Sequence, residues 1–361
     1  MSLYPRILKL ASEQPWALAP GTLSILADVL RFRSSGQRLT DDEIRARIQR
    51  YGSSRPPAAA RQRYYDPESD EMFAPAYDGE GGFIGYRSQS GAPMPAGRPV
   101  VAIISVVGII MQRGDAFDEA SGAMSLETLS KRFRTALNDP AVRAIVFDVD
   151  SPGGGVYGVQ EFAAEVRDAR GVKPILANSN SLAASAGYWI LSAAGEASVT
   201  ESGEVGSIGV YSLHQDISQF LEKEGIKYEF ISAGDFKTEG NPFQPLTEDG
   251  RAFMQTRVDE YYDAFLKAVS KGRDVSVAKV KSEFGQGRAF GASQAKAAGM
   301  VDRIETLDET IRRAANKKAT TGPKALASPA AEASPWSELN AAHVEMQRLA
   351  MDLPVVVPAA S

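Results

Sequence analysis

Apolar runs and helical apolar patterns alternate through the middle of the chain, from residue 100 to residue 317. The runs 100–104 and 144–149 are almost entirely apolar, which is typical of buried strands. Between them, apolar residues over 126–137 recur at the spacing of one helix face. This rhythm predicts an α/β domain over 100–317, with a mainly parallel sheet flanked by helices.

Further elements follow from the same patterns. Each predicted strand is a short apolar run, and each predicted helix is marked by apolar residues at intervals of three and four. The strands are predicted at 109–111, 175–177, 207–211 and 228–231, and the helices at 159–166, 183–194, 217–221 and 247–270.

The composition divides the rest of the chain into three segments. Residues 1–51 have apolar positions at helical spacing, and Thr40-Asp41-Asp42-Glu43 has the spacing of a capping box, so we expect a small helical segment there. Residues 52–99 contain seven of the 20 prolines and are interpreted as a linker or extended arm. Residues 318–361 are rich in Ala, Pro and Ser, which predicts a disordered tail.

The composition also excludes several kinds of site. The 361 residues contain no Cys and only two His, which removes thiol nucleophiles, thiolate zinc sites and His-rich metal centres. The net charge of −5 is not the basic pattern of a nucleic-acid-binding protein. The longest apolar stretch, 100–111, is far shorter than the roughly 20 residues of a membrane span. We therefore expect no metal, nucleic acid, membrane anchor or signal peptide, and a cytoplasmic protein.

A glycine-rich loop at 150–155 (DSPGGG) directly follows the predicted strand 144–149. In parallel sheets, ligands bind beyond the carboxyl ends of the strands, and consecutive glycines let backbone N–H groups approach a ligand closely. The N-terminus of the next predicted helix adds a partial positive charge. The loop is a candidate site for a phosphate or an oxyanion, and an ordinary turn is the alternative.

Ser185 lies in a second small-residue segment, 181–188 (SLAASAGY), which follows the predicted strand 175–177. Small neighbours would let a substrate carbonyl approach the hydroxyl, and the backbone N–H of Ala186 would be an oxyanion donor beside a helix N-terminus. Tight helix packing is the other explanation for so many Ala, Ser and Gly residues.

A serine nucleophile needs a base, and two candidates remain. His214 has Asp216 two residues on, although at that spacing Asp216 is poorly placed to orient the imidazole. Lys237 offers a Ser–Lys dyad, which needs no imidazole. A lysine acts as a base only when it is neutral, a form that burial beside apolar groups such as Phe236 favours. A single loop lysine is more often a solvated surface charge.

Five motifs, taken together and in order, resemble those of signal peptide peptidase A and its relatives in serine-peptidase family 49. The resemblance extends from about residue 100 to residue 311, and it implies the Clp-protease/crotonase-like fold. The spacings from Ser185 to Ser207 and to Lys237 are also similar. The motifs are DSPGGGVY at 150–157, SLAASAGY at 181–188, GSIGV at 206–210, GDFKTEGNPF at 234–243 and AKAAGMVD at 295–302.

The resemblance implies a role for three side chains. Ser185 would be the nucleophile, Lys237 the general base, and Ser207 the hydroxyl that orients the lysine amine. The implied activity is that of a serine endopeptidase, which hydrolyses a peptide bond through an acyl-enzyme and needs no cofactor.

The same resemblance implies backbone donors and an assembly. The N–H groups of Gly154 and Ala186 would bind the tetrahedral oxyanion, with Gly153 as a possible substitute. Members of the family assemble as rings, in some of which the serine and the lysine come from neighbouring subunits. We therefore expect a homo-oligomer.

The N-terminal sequence resembles one particular group within this family. YPRI at 4–7, PWALAPGTL at 15–23 and RLTDDEIRARI at 38–48 are similar to the N-terminal segment of phage head-maturation proteases, the minor capsid protein C group. The implied substrates are scaffold, capsid and portal proteins in an assembling prohead, within the host cytoplasm. His214 suits that group without a catalytic role.

Three other functions stay open. One is a soluble host peptidase that degrades cleaved signal peptides. Another is a catalytically silent, capsid-associated structural protein. The third is a crotonase-type enzyme acting on acyl-CoA, which would need carboxylates at its pocket and would have no use for Ser185 and Lys237.

Overall fold

The computed structural model of the chain describes residues 16–18, 62–78, 83–114 and 123–317. Its strands are β1 (Trp16–Leu18), β2 (Gln62–Asp66), β3 (Glu71–Tyr77), β4 (Phe83–Arg87), β5 (Val100–Val107), β6 (Ile109–Met111), β7 (Ala123–Ser125), β8 (Val142–Ser151), β9 (Gly153–Gly155), β10 (Ile175–Ala184), β11 (Glu196–Val199), β12 (Glu204–Gly206), β13 (Ala289–Gly291) and β14 (Arg303–Ile304). Its helices are α1 (Leu126–Asn138), α2 (Val159–Asp168), α3 (Ala186–Ala193), α4 (Ser218–Lys223), α5 (Glu248–Arg273), α6 (Val277–Glu283), α7 (Ala292–Ala298) and α8 (Leu307–Asn316).

The larger sheet has the order β13-β12-β10-β8-β5-β2-β3-β4. Its centre is parallel, because β8 pairs with β5 on one side and with β10 on the other, and β10 pairs with both β11 and β12. Strands β2, β3 and β4 extend it in antiparallel pairing beyond β5. The predicted α/β class with a mainly parallel sheet is confirmed.

The central strands are buried on both faces, which explains why their sequences are continuous apolar runs. On β5, Ala102 and Ile104 belong to the core formed with α1, α2, α3 and α5. The alternate residues Val101 and Ile103 belong to a second core, formed with α8 on the opposite face. All four of these side chains are fully buried.

A smaller sheet has the order β1-β9-β6-β7. Strand β9 lies in its interior, parallel to β6 and antiparallel to β1. Strand β1 falls within the segment 1–51 for which helices are predicted, and the remainder of that segment lies outside the described residues. The predicted tail, 318–361, also lies outside them.

Residues 62–87 contain three strands, whereas the sequence interpretation assigned 52–99 to a linker or arm. Tyr64 and Phe73 are buried in the main core, and β2 forms a ladder with β5. Because the segment is polar on average, its composition does not indicate that these aromatic side chains are buried. The linker interpretation is therefore wrong for these strands.

Three other boundaries differ from the sequence prediction. The strand predicted at 175–177 continues to Ala184, so α3 begins at Ala186 rather than at 183. The residues 207–211 are not a strand, because the pairing with β10 falls on β12 just before them. The apolar run 228–231 is not a strand either, and the side chain of Ile231 is 98% exposed.

Helices α3 and α5 pack directly against each other. The ring of Trp189 stacks on that of Phe265, with centroids 4.3 Å apart and planes 6° apart. Gly272 brings the end of α5 onto α3, since a Cβ at that position would overlap the Ser192 carbonyl. The half-buried guanidinium of Arg170 donates to the carbonyls of Ser192, Ala193 and Gly272 and so caps the ends of both helices.

Candidate active site

Ser185 lies at the turn between β10 and α3 in a backbone conformation that only glycine adopts easily. Its φ is 55° and its ψ is −117°. The turn is held by the Ser185 N–H, which donates to the Gly206 carbonyl at 2.7 Å. The side chain is 1% exposed, and its Oγ lies 3.5 Å from the Gly209 carbonyl oxygen. Strained strand-to-helix turns fix the direction of the nucleophilic serine in α/β-hydrolases.

Ser207 lies next to this turn and also has a positive φ, of 55°. Gly206 is the Cα partner of Ala184, so the two serines follow directly from paired positions of β12 and β10. The Ser207 N–H donates to the Arg288 carbonyl at 2.8 Å. The structure therefore brings Ser185 and Ser207 to the same edge of the sheet.

Ala186 is the first residue of α3 and is fully buried. An N–H in the first helical turn has no acceptor within its own helix, and no described residue outside the helix accepts from Ala186. Gly187 packs this turn against the end of β8, since a Cβ there would lie 3.1 Å from the Ser151 Cβ. A free donor thus lies beside Ser185 at the positive end of a helix.

The glycine strand β9 lies on the other side of this turn. A Cβ on Gly154 would overlap the backbone of Ile110, so the close approach of β6 requires glycine at this position. Gly153 has φ 102°, and its N–H donates to the Ser151 Oγ at 3.1 Å. Because that N–H is already hydrogen-bonded inside the loop, Gly153 is a weak candidate for an oxyanion donor in this conformation.

Ser151 is a residue of the site that the sequence analysis missed. Its side chain is fully buried, and its hydroxyl donates to the Gly108 carbonyl at 2.7 Å while accepting from Gly153. It is also the Cα partner of Ala183. Ser151 therefore fixes β9 against the turn that carries Ser185. The available signal was a serine at the end of a predicted strand, directly before Pro-Gly-Gly-Gly.

No hydrogen bond joins Lys237 to Ser185 or Ser207 within one chain, and the residue is exposed. It occupies an exposed turn, where its backbone N–H donates to the Gly234 carbonyl at 3.1 Å. No hydrogen bond or ion pair joins its amine to any other residue of the described ranges. The neighbouring ring of Phe236, expected to help bury the lysine, is 70% exposed.

His214 and Asp216 line a cleft of about 590 Å³ between residues 210–216 and α5. Hydrogen bonding from Ser218, together with the nearby His214, holds the pKa of Asp216 below its usual range. The Nε2 atom of His214 is buried and has no hydrogen-bond partner among the described residues. Asp216 thus bonds to Ser218 rather than to His214, and no hydrogen bond joins His214 to Ser185.

The chemistry available at this edge is a hydroxyl beside backbone N–H donors. Within the described ranges, no three His, Asp or Glu side chains are grouped so as to hold a metal ion. No helix in the same ranges combines the length and the apolar character needed to cross a bilayer.

Comparison with known proteins finds a match to one family model. Residues 167–321 match the model described as peptidase family S49. Capsid assembly protease C of Escherichia phage lambda is 32% identical over 211 residues, which are 58% of this chain and 48% of that protein. Head-tail preconnector protein GP5 of Enterobacteria phage P21 is 28% identical over 211 residues, 58% of this chain and 42% of that protein. Protease 4 of Haemophilus influenzae is 29% identical over 215 residues, 59% of this chain and 34% of that protein.

The chain spans about half or less of the length of these relatives. The family match includes Ser185, Ser207 and Lys237, and it begins after the glycine strand β9.

Proposed function

We propose, from the match of residues 167–321 to the model of peptidase family S49, that the protein is a serine endopeptidase of that family. Ser185 is its nucleophile, Lys237 its general base, and Ser207 the hydroxyl that orients the lysine amine. The backbone N–H groups of Ala186 and Gly154 bind the oxyanion.

The observation that carries the proposal is the left-handed turn at Ser185. A non-glycine residue in such a conformation costs about 1–3 kcal/mol, and this cost persists where the surrounding structure fixes it for function. The turn directs the hydroxyl to the carboxyl edge of the parallel strands, beside a helix N-terminus. A buried structural serine would have no need of that strain.

The proposed reaction has two halves. Neutral Lys237 accepts the Ser185 proton as Oγ attacks the peptide carbonyl, and the oxyanion that forms is bound by the two N–H groups. The lysine then gives the proton to the leaving amine, and an ester joins the acyl group to Ser185. A water activated by the same lysine hydrolyses the ester and restores the serine.

Lys237 needs a second copy of the chain to take part. A lysine becomes a base through burial, and Lys237 is exposed in the single chain. The surrounding segment also exposes large apolar side chains, as expected of an interface. We propose that this segment packs on a neighbouring copy and brings Lys237 to the Ser185 of that copy. The exposed side chains are Phe220, Ile226, Tyr228, Phe230, Ile231 and Phe236.

Mixing two inactive variants tests the shared site. Ser185→Ala and Lys237→Ala are co-expressed with different affinity tags, and double-tagged assemblies are assayed for casein hydrolysis. Each variant alone is expected to be inactive. The mixed assembly regains hydrolysis if Ser185 of one copy meets Lys237 of the other. If the mixed assembly is as inactive as each single variant while the wild type is active, Ser185 and Lys237 act within one chain instead.

We propose phage head proteins as the substrates, with the host cytoplasm and the prohead as the place of action. This is supported by the relatives named as a capsid assembly protease and a head-tail preconnector protein. The proposal predicts cleavage of a co-expressed scaffold or portal protein.

Mass spectrometry of the co-expressed proteins tests the substrate class. Wild type is expected to yield defined scaffold fragments that Ser185→Ala and Lys237→Ala do not yield. A chain that cleaves casein but leaves scaffold, capsid and portal proteins intact would contradict the head-protein assignment. It would favour the alternative of a peptidase that degrades cleaved signal peptides.

A further inference from the structure

A segment from the N-terminal part of the chain occupies the outer edge of the glycine strand. Strand β1 runs antiparallel to β9, while β6 takes the opposite edge of β9. Without β1, the backbone groups on one side of β9 would have no strand partner. The Cα partners are Trp16 with Gly155, Ala17 with Gly154, and Leu18 with Gly153.

This edge lies next to the turn that carries Ser185. Ser151 of β8 and Ala183 of β10 are Cα partners. Strand β9 begins two residues after Ser151, and Ser185 lies two residues after Ala183. The first turn of α3 packs on Ser151, which also accepts a hydrogen bond from Gly153. A chain that pairs with β9 therefore passes alongside the hydroxyl of Ser185 and the N–H of Ala186.

An extended peptide could bind here by adding a strand to the sheet. Strand addition uses main-chain hydrogen bonds, so it accepts many sequences and suits an enzyme that cleaves polypeptides. The glycines of β9 carry no side chains to obstruct such a peptide. One edge accepts only one strand at a time, and β1 already has the place that a bound polypeptide would take.

We propose that β1 is an internal competitor, which holds the peptide-binding edge of β9 until an extended polypeptide substrate displaces it. This inference rests on the proposed endopeptidase function. The chain then limits its own activity, and hydrolysis increases when the segment around Trp16–Leu18 leaves β9.

The sequence of this segment favours a short, reversible pairing. It reads PWALAP at 15–20, with Pro15 and Pro20 on either side of the strand. Proline lacks an N–H and cannot extend a ladder, so the paired stretch remains at three residues. A ladder of that length offers few hydrogen bonds, and a longer substrate strand can replace it.

Two full-length variants test the inference by changing β1 alone. Successive N–H groups of a strand point to opposite edges, so either Ala17 or Leu18 donates toward β9. The double variant Ala17→Pro/Leu18→Pro removes that donor whichever residue carries it. The matched control, Ala17→Ser/Leu18→Ile, keeps both N–H groups.

The binding measurement uses a fluorescent peptide with the sequence EQPWALAPG, residues 13–21, and proteins that also carry Ser185→Ala. If β1 holds the edge for about nine-tenths of the time, its release tightens the apparent affinity for the peptide roughly tenfold. We expect that gain in the double-proline protein and no gain in the control. Equal affinity in both, or binding in neither, would overturn the inference.

Hydrolysis of casein by the same pair with Ser185 intact separates this inference from the proposed function. We expect the double-proline protein to have a kcat/KM about tenfold above that of the control. A fall in kcat/KM together with a lower unfolding midpoint would show that β1 is a structural strand, and would also overturn the inference. If no form hydrolyses casein, the endopeptidase proposal fails, while the binding result still decides what occupies β9.

Discussion

The backbone of Ser185 is fixed from both sides of its turn. Its N–H donates to Gly206, and its carbonyl accepts from the Trp189 N–H at 2.9 Å, which closes the first turn of α3. Among the described residues, the only hydrogen-bond partner of the hydroxyl is the Gly209 carbonyl, at 3.5 Å. The strain at this residue therefore serves the direction of the hydroxyl more than the stability of the fold.

Replacing Ser185 with glycine is expected to stabilise the protein while removing its activity. Relief of the strain contributes about 1–3 kcal/mol, and the greater freedom of glycine in the unfolded chain costs roughly 0.5–1 kcal/mol. The net gain is about 1 kcal/mol in the free energy of unfolding, measured by urea denaturation. Ser185→Ala keeps the strain and should show no gain. A Ser185→Gly protein less stable than Ser185→Ala would refute this account of the turn.

Ser151 is expected to matter for both folding and activity. Ser151→Ala leaves the Gly108 carbonyl and the Gly153 N–H without their partner in a buried site, at a cost of about 1–3 kcal/mol. Because β9 loses its hydrogen bond to the Ser151 side chain at the end of β8, kcat/KM should fall as well. Ser282→Ala, which removes an exposed hydroxyl bonded within α6, is the control. Equal unfolding midpoints for the two variants would contradict the role given to Ser151.

At the scale of elements, the sequence predicts best those helices that have both an apolar pattern at helical spacing and a recognisable residue at an end. Helix α1 has Ser125 as its N-cap and stops before Pro140. Helix α5 has Thr247 as its N-cap and begins at Glu248, one residue after the predicted start. The run 228–231 is misleading because its apolar side chains are exposed in the single chain. Apolar composition alone does not tell a core strand from a surface that another molecule covers.

The contact of α5 with α3 gives a test in which two effects oppose each other. In most helices, Gly→Ala stabilises by up to about 1 kcal/mol. At Gly272 the added methyl group would overlap the Ser192 carbonyl, so α5 must move, and overpacking of this kind costs about 1–3 kcal/mol. We therefore expect Gly272→Ala to lower the free energy of unfolding. An increase, measured by urea denaturation, would show that α5 shifts without cost.

An ion pair at the end of α5 gives a pH dependence. Burial raises the pKa of Asp302, but hydrogen bonds from Arg273 and from the Ala197 N–H outweigh it and hold that pKa below its usual range. A carboxyl with a depressed pKa stabilises the fold at neutral pH, and this contribution is lost as the pH falls through the folded-state pKa.

The stability difference between wild type and Asp302→Asn should therefore depend on pH. We expect it to be largest near neutral pH and to shrink once the pH falls below about 4. Urea denaturation at a series of pH values measures this difference. A constant difference across the series would mean that Arg273 does not act on the charge of Asp302.

For the whole molecule, the architecture predicted from the sequence is confirmed. The predicted family has a model that matches residues 167–321. The roles of Ser185, Lys237 and Ser207 remain predictions. The motifs could not reveal that β1 covers β9, because strand pairing between residues so far apart leaves no local pattern. Nor could they reveal that Lys237 is exposed, since its burial depends on what packs against the chain.

The central claim, that Ser185 is an activated nucleophile, is tested most directly by labelling with a fluorophosphonate and mapping the adduct by mass spectrometry. We expect one adduct per chain, on Ser185, absent from Ser185→Ala and lost or strongly slowed in Lys237→Ala. An adduct on another serine, or no adduct on a folded protein in its native assembly, would contradict the account.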